Sequence, residues 1–199
     1  MMDASGPVIH TTERERAIAT VVAAFIADPV TRWAYPDARQ YITSFPRIVE
    51  AFGGRAFDKG SAHSVSELTA VALWLPPGVE PDGEAMGEII AETVSEHLME
   101  DLVGFAEKQS TMHPHEPHWY LPLIGVDPAY QGRGLGSALL SHAGAIADEA
   151  GLPAYLEATN LNNRRLYERH GFEVVNEIQY GSSPAMWGMR REPRTRSAG

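Results

Sequence analysis

The sequence contains no cysteine, and this absence excludes several kinds of chemistry at once. Disulfide bonds, cysteine nucleophiles, thiolate metal sites and redox-active thiol pairs all need a residue that the 199-residue chain lacks. The fold must therefore be held together by its core, and a hydrophobic content of 44% is enough to build one. We expect a single cytoplasmic domain over residues 1–191, followed by a disordered tail over residues 192–199.

Positive charge is also scarce. Lys and Arg number 16 against 26 Asp and Glu, so the net charge is −10. This balance argues against a nucleic-acid partner and favours cationic ones. No apolar run approaches the ~20 residues that a membrane span requires, so we expect no membrane partner. We expect the protein to be a monomer or a homodimer.

The longest apolar run, "AIATVVAAFIA" over residues 17–27, has the length of a secretory signal but the wrong flank. Acidic and basic residues alternate in residues 13–16, where a signal would carry positive charge. The large apolar residues of this run, Ile26 among them, recur every three or four residues. This spacing instead predicts a helix with one buried face, capped by Thr11 or Thr12.

The rest of the chain predicts alternating helices and strands. A helix is expected over residues 37–52, then two strands in "SAHSV" and "LTAVALWL", then one long helix from residue 84 to about 109. From residue 118 the predicted order is strand, glycine turn, helix, strand, helix, strand, strand. Pro122 lies inside the first of these strands, which predicts an edge, a bulge or a splayed place in the sheet.

The stretch "GVDPAYQGRGLGSALL", residues 125–140, places three glycines between a strand and a helix. A nucleotide-triphosphate loop would end in Lys followed by Ser or Thr, which this stretch lacks. A dinucleotide turn would have a third glycine where Ser137 or Leu139 stands, although Glu157 lies where a ribose-binding acid would. Two readings remain: the free amides of a helix N-terminus hold an anion such as a pyrophosphate, or the glycines serve packing alone.

A family resemblance favours the anion. "QGRGLG" matches the acyl-CoA signature of the GNAT superfamily of N-acyltransferases, and "LEATNLNNRRLYERHGFEVV" resembles the strand and helix that follow it there. The resemblance covers residues 118–191 and is nearest to the puromycin N-acetyltransferase group. It implies an α/β fold, the acyl-CoA N-acyltransferase fold: a mixed, mostly antiparallel sheet with a splayed parallel strand pair and helices on both faces. It also implies transfer of an acetyl group from acetyl-CoA to a primary amine, with a small molecule as the preferred acceptor.

The resemblance also assigns residues. Those expected to bind acetyl-CoA are Ile124, Gly125, Val126, Gln131, Gly132, Arg133, Gly134, Leu135, Gly136, Ser137 and Ala138, with Asn163 or else Asn160 for the pantetheine arm. Either asparagine could instead cap the short helix. Tyr167 stands where the family keeps the tyrosine that protonates the leaving thiolate, and packing of the helix on the sheet is its alternative role.

The remaining candidates concern the base and the acceptor. Glu157, a carboxylate among apolar neighbours on a strand, is the candidate general base, and a structural hydrogen bond is its alternative. Trp33 and Tyr35 in "DPVTRWAYPD", with His118 and Tyr120, are expected at the acceptor site. The cluster "HPHEPH" favours a loop beside that site, with His118 as a reserve base, over a metal site. Two other functions stay open: a protein or peptide N-acetyltransferase, and a noncatalytic acyl-CoA-binding module.

Overall fold

The computed structural model of the chain describes residues 6–194, which form a seven-stranded sheet in the order β1-β2-β3-β4-β5-β7-β6. The strands are β1 Ile9–His10, β2 Ala62–Val65, β3 Ala70–Leu75, β4 Trp119–Val126, β5 Ala154–Ala158, β6 Glu173–Ile178 and β7 Met186–Arg191. The helices are α1 Arg14–Ala24, α2 Pro29–Ala34, α3 Ala38–Gly53, α4 Arg55–Asp58, α5 Gly83–Thr93, α6 Glu96–Met112, α7 Leu135–Ala150 and α8 Leu161–Arg169.

One strand pair gives the sheet its shape. β4 and β5 run parallel and pair only from Trp119 to Leu121, while the other neighbouring strands are antiparallel. Pro122 follows this short ladder and cannot donate a backbone hydrogen bond, so the two strands part there. β3 is irregular opposite the same place, between Leu73 and Leu75. The predicted mixed sheet with a splayed parallel pair is therefore confirmed.

Both faces of the sheet are covered by helices, as predicted. Alternate residues of a strand point to opposite faces, and β3 shows this directly. Val71, Leu73 and Leu75 join a core with α1 and α3. Ala72 and Trp74 join a second core with α7 and α8. The two cores hold β4 and β5 between them and so fix the position of the gap.

The prediction of one long helix over residues 84–109 is wrong. α5 ends at Thr93, Val94 and Ser95 are extended, and α6 begins at Glu96. Thr, Val and Ser are weaker helix formers than the residues around them, and Ser favours the N-cap position. Val94 is 8% exposed and packs into the core, so burial of this side chain stabilises the break between the two helices.

Two smaller expectations about the first helix also fail. The N-cap position of α1 is Glu13, and Thr11 accepts a hydrogen bond from the Glu13 amide (3.2 Å) without capping the helix itself. Ile26 was expected on the buried face, but α1 ends at Ala24 and Ile26 is 55% exposed.

At the other end, the Arg194 amide donates to Asp148 (2.7 Å), and residues 195–199 of the predicted tail lie outside the described residues. Within residues 6–194, no helix has both the length and the apolar character to cross a membrane.

Candidate active site

The glycine turn between β4 and α7 requires glycine at two positions. A short 3-10 turn, Pro128–Tyr130, leaves the strand, and the Asp127 side chain accepts a hydrogen bond from the Ala129 amide (2.8 Å). Gly132 and Gly134 then adopt φ angles of 75° and 84°, a left-handed conformation that costs other residues roughly 1–2 kcal/mol. The turn brings bare backbone to the start of α7.

The first amides of α7 are free for a ligand. The first hydrogen bond inside the helix runs from the Ala138 amide to the Gly134 carbonyl (3.0 Å). The amides of Leu135, Gly136 and Ser137 precede it and have no partner within the helix. These three amides lie at the positive end of the helix dipole, where an anion is favoured, whereas the Ala138 amide, which was also expected to bind the coenzyme, is already used.

A cleft of about 990 Å³ opens in front of this turn. It lies between the end of α1, the splayed part of β4, the turn and α8, and among the residues that line it are Ile124, Gly125, Val126, Gln131, Gly132, Gly134, Leu135, Gly136, Ser137, Asn160, Asn163 and Tyr167. Arg133 does not line the cleft. Its guanidinium lies over the Tyr130 ring (4.9 Å) and donates to the Ala129 carbonyl (3.3 Å).

The backbone of β4 directs N–H and C=O groups into this cleft. The Asp127 amide donates to the Thr69 carbonyl (2.9 Å), so these two opposed residues are a hydrogen-bonded pair of the β3–β4 ladder. Hydrogen-bonded and non-bonded pairs alternate in an antiparallel ladder. Val126 and Ile124 therefore direct their N–H and C=O groups away from β3 and into the gap. The Gln131 side chain donates to the Val126 carbonyl (3.3 Å), as this geometry requires.

The structure separates the two asparagines that the sequence left open. Asn160 is the N-cap of α8, and its side chain accepts a hydrogen bond from the Asn163 amide (2.9 Å). The Asn163 side chain is not used in this way and borders both the cleft and a second cavity.

The second cavity lies deeper in the protein, has a volume of about 200 Å³ and is walled mainly by apolar side chains. Its lining includes Phe25, Tyr35, Phe45, Ile48, Phe52, Met86, Ile90, Val94, Leu102, Phe105, Leu123 and Met186. The charged groups of the lining are the carboxylates of Asp28 and Glu157. An apolar cavity with two carboxylates suits a cation that carries an apolar body.

The cleft and the cavity share five lining residues: Phe25, Asp28, Ile124, Asn163 and Tyr167. Tyr167 is 5% exposed. Burial raises the pKa of its hydroxyl, and the negative charge of Asp28 raises it further. Tyr167 is therefore protonated at neutral pH, at the place where molecules in the two spaces would meet.

Asp28 was missed in the sequence. Its Oδ1 accepts a hydrogen bond from the Thr31 amide (3.0 Å) and caps α2, and its Oδ2 accepts one from the Thr159 hydroxyl. An Asp directly before a Pro is a recognisable helix start, which was the available signal. What it could not show is that this cap lies against β5.

Glu157 has only 5% of its side chain exposed. Tyr120 donates a hydrogen bond to its Oε2 (2.8 Å), whereas its Oε1 has no hydrogen-bond partner among the described residues. Nδ1 of His113 lies 3.6 Å from Oε1. The pKa of Tyr120 is raised by burial and by the Glu157 charge, so Tyr120 is a donor.

Of the four residues expected at the acceptor site, one lines the second cavity and three do not. Tyr35 lines the cavity and pairs its hydroxyl with Thr93 (3.0 Å). Trp33 packs on Phe105 and donates to Ser182 (3.1 Å), outside the cavity. His118 and Tyr120 also lie outside the cavity lining, beside Glu157. In the described part of the chain, no three His, Asp or Glu side chains gather as a metal site would require.

Comparison with known proteins decides the family. The model of the acetyltransferase (GNAT) family matches residues 62–172, more than half of the chain. The chain belongs to the GNAT family of acetyltransferases. The matched segment carries β2 to α8, and therefore the glycine turn, the splayed strands and Tyr167.

GNAT relatives are found along the whole length. An uncharacterised N-acetyltransferase of Schizosaccharomyces pombe is 27% identical over 210 residues, 95% of this chain and 83% of the relative. A Corynebacterium glutamicum structure described as histone acetyltransferase HPA2 and related acetyltransferase is 25% identical with a TM-score of 0.66, over 98% and 99% of the two chains. The polyamine N-acetyltransferase of Drosophila melanogaster, 16% identical with a TM-score of 0.63 over 94% and 99%, shares the fold.

Proposed function

We propose that the protein transfers the acetyl group of acetyl-CoA to the primary amine of a small molecule with an apolar body. The observation that carries this proposal is the meeting of two spaces at Tyr167 and Asn163. One space ends at a helix N-terminus whose first amides favour an anion, and the other is a mainly apolar cavity with two carboxylates.

The cleft has the groups that acetyl-CoA needs. The amides of Leu135, Gly136 and Ser137 would hold the pyrophosphate, since bare N–H groups at a helix N-terminus favour an anion. The outward backbone groups of Val126 and the carbonyl of Ile124 would pair with the amides of the pantetheine arm as an added strand pairs with a sheet edge. The Asn163 side chain would add a hydrogen bond at the junction.

The acceptor class follows from the second cavity. A volume of about 200 Å³ is roughly seven times the ~30 Å³ share of a water molecule, which suits a small amine better than a peptide. Asp28 bonds Thr159, two residues after Glu157, so both carboxylates belong to the end of the cavity beside β5. The opposite wall, from α3, α5 and α6, is apolar except for Gln109. This distribution favours a monoamine with an aromatic or aliphatic body over a polyamine.

The chemistry needs a base, an oxyanion donor and an acid. Glu157 would remove a proton from the ammonium group so that the neutral amine can attack the thioester carbonyl. The amide of Ile124, which points into the gap where both spaces meet, would donate to the developing oxyanion. Tyr167 would protonate the departing thiolate as the C–S bond breaks and the C–N bond remains. The attacking nitrogen would lose its second proton as the amide forms, and this proton would restore the Tyr167 hydroxyl.

A panel of amines tests the proposal. The full chain is incubated with acetyl-CoA and one of phenethylamine, hexylamine, spermidine, puromycin or a lysine peptide, and free thiol and the acetylated product are measured. Puromycin is included because of the resemblance to its acetyltransferase group. We expect the two apolar monoamines to exceed spermidine and the peptide by at least about 10-fold in kcat/KM. A preference for the peptide would indicate a protein acetyltransferase, and binding of acetyl-CoA without turnover would indicate a noncatalytic module.

A further inference from the structure

The proposed reaction releases one proton from a buried place. At neutral pH the acceptor is an ammonium ion, because a primary alkylamine has a pKa near ~10. Acetylation of RNH₃⁺ by a thioester yields an amide, a thiol and one proton. Glu157, the proposed base, has only 5% of its side chain exposed, so the proton needs a way out.

The unpartnered oxygen of Glu157 indicates where that way begins. Oε2 is held by the Tyr120 hydroxyl (2.8 Å), and Oε1 is buried without a hydrogen-bond partner among residues 6–194. A buried carboxylate oxygen without a partner is costly. Nδ1 of His113, at 3.6 Å, faces this oxygen, and a shift of about 0.6 Å would bring the two atoms within hydrogen-bond distance.

The neighbouring histidine determines the state of His113. Nδ1 of His118 lies 2.7 Å from the Glu116 carbonyl, and a carbonyl only accepts, so this nitrogen carries a hydrogen. Burial lowers the pKa of His118, and His113 lowers it further, so His118 is neutral and its Nε2 is bare. Nε2 of His113, 3.1 Å away, must then be the donor. The Nδ1 of His113 is left as the atom that can gain and lose a proton.

We propose that His113 is a proton relay that takes the acceptor's proton from Glu157 and passes it to water at the protein surface. The proposal rests on the proposed function. The ammonium N–H proton moves to the carboxylate, the carboxyl O–H proton moves to Nδ1 of His113, and the resulting imidazolium returns one proton to water. The His113 side chain is 19% exposed, so it reaches water where Glu157 does not.

The neighbours of His113 do not compete for the proton that Glu157 and His113 exchange. The rings of Tyr120 and Tyr155 lie edge-on to His113, with centroids 4.7 and 4.9 Å away. Burial and the Glu157 charge raise the pKa of both tyrosines, so neither exchanges a proton near neutral pH. The other charged groups of this region are Glu80, which acts on His118, and the ion pair of Glu116 with Arg190.

The position of His113 is fixed from two sides. It is the C-cap residue of α6, and the Asn176 side chain on β6 donates to the Met112 carbonyl just before it (3.2 Å). The ring then contacts His118 (centroids 4.9 Å apart). His115, two residues later, is exposed. The same loop therefore provides a matched control.

The test compares His113→Gln, His115→Gln and Glu157→Gln in the full chain with the best amine of the panel, over pH 6 to 10. We expect His113→Gln to lower kcat by about 10- to 100-fold at pH 7, with the deficit shrinking at alkaline pH, where the amine is already neutral. The KM for acetyl-CoA should stay within about threefold. His115→Gln should match the wild type. Imidazole in the buffer should restore part of the kcat of His113→Ala, because the vacated space opens to water.

The outcomes separate the two proposals. A wild-type protein that acetylates no amine overturns both. Wild-type turnover that is impaired in Glu157→Gln but unchanged in His113→Gln overturns the relay alone. A loss in His113→Gln that is equal at every pH, or that imidazole does not restore in His113→Ala, assigns His113 a structural role and also overturns the relay.

Discussion

Asp28 and Thr159 are 131 residues apart in the sequence, and the Thr159 hydroxyl donates a hydrogen bond to the Asp28 carboxylate. The same carboxylate caps α2 through the Thr31 amide. One side chain thereby ties the start of α2 to the end of β5 and holds a negative charge between the cleft and the cavity.

Removing this charge should weaken acceptor binding. Asp28→Asn keeps the size of the side chain and an oxygen that can cap α2, but it loses the attraction for an ammonium ion. A charge-assisted hydrogen bond contributes roughly 1.5–3 kcal/mol, so we expect the KM for the amine to rise by about 10- to 100-fold. The Kd for acetyl-CoA, measured by calorimetry, should change less than about threefold. Asp37→Asn, at the N-cap of α3 and outside both spaces, is the matched control, and an unchanged amine KM in Asp28→Asn would contradict the assignment.

Gly134→Val should abolish acetyl-CoA binding. The β-branched side chain is strained at φ 84° and would stand where the backbone is proposed to approach phosphates. We expect an affinity loss of at least about 100-fold by calorimetry. Gly151→Val places the same strain at the other end of α7, where φ is 64°, and should destabilise the fold equally without affecting binding. Equal binding losses in both variants would mean that folding, and not phosphate contact, is responsible.

Tyr167→Phe separates catalysis from binding. The ring and its packing remain, and the proton for the thiolate is lost. General acid catalysis typically contributes ~10²- to 10⁴-fold, and a thiolate is a moderately good leaving group, so kcat should fall by about 10- to 1000-fold. The acetyl-CoA Kd and the melting temperature should hardly move. Tyr180→Phe, at an exposed tyrosine, is the control, and a large loss of coenzyme affinity in Tyr167→Phe would assign its hydroxyl to binding.

The Asp148–Arg191 ion pair should make stability depend on acid pH. Two hydrogen bonds of 2.8 Å join the side chains, and the hydrogen bond from Arg191 holds the pKa of Asp148 below its usual value. Its contribution is complete above the unfolded pKa of ~3.9 and is lost as the pH falls through the lower folded value. Breaking a buried pair costs ~3–5 kcal/mol, and since Asp148 is 21% exposed we expect about 2 kcal/mol for Asp148→Asn at pH 7.

Denaturant unfolding at pH 7 and pH 3 measures this effect. The difference between wild type and Asp148→Asn should shrink at pH 3, where the carboxyl of the unfolded chain, with a pKa of ~3.9, is protonated. Glu192→Gln, in an ion pair with Arg190 at a glutamate that is 67% exposed, should change little at either pH. A constant difference between pH 3 and pH 7 would show that the charge of Asp148 is not the cause.

The glycine turn and the splayed place in β4 could be predicted from the sequence because their determinants are local. The outward backbone of β4, the two left-handed glycines and the first amides of α7 all lie within residues 124–137. Spacing and residue type alone left anion binding and packing open, and the family resemblance was needed to favour the anion. Asn160 and Asn163 could not be told apart, since a cap and a ligand contact need the same residue type three positions apart.

The second cavity could not be predicted because it forms only when segments that are distant in the sequence pack together. Its wall comes from α2, α3, α5, α6, α8, β4, β5 and β7, and nothing local in any of them marks a cavity. The break at Val94 could not be predicted because apolar residues recur every three or four positions on both sides of it. His113 was visible within "HPHEPH", but its importance comes from a carboxylate oxygen on β5, 44 residues later in the sequence.

The two spaces meet at five residues and share no helix from the α3, α5 and α6 wall. Under the proposed function, substitutions in that wall would therefore change which amine is accepted while the groups proposed to face acetyl-CoA stay as they are. A gene duplicate could acquire a new acceptor by changing a few apolar side chains on α5 and α6, without rebuilding the turn. This wall is therefore the place where we expect acceptor preference to diversify and where redesign should begin.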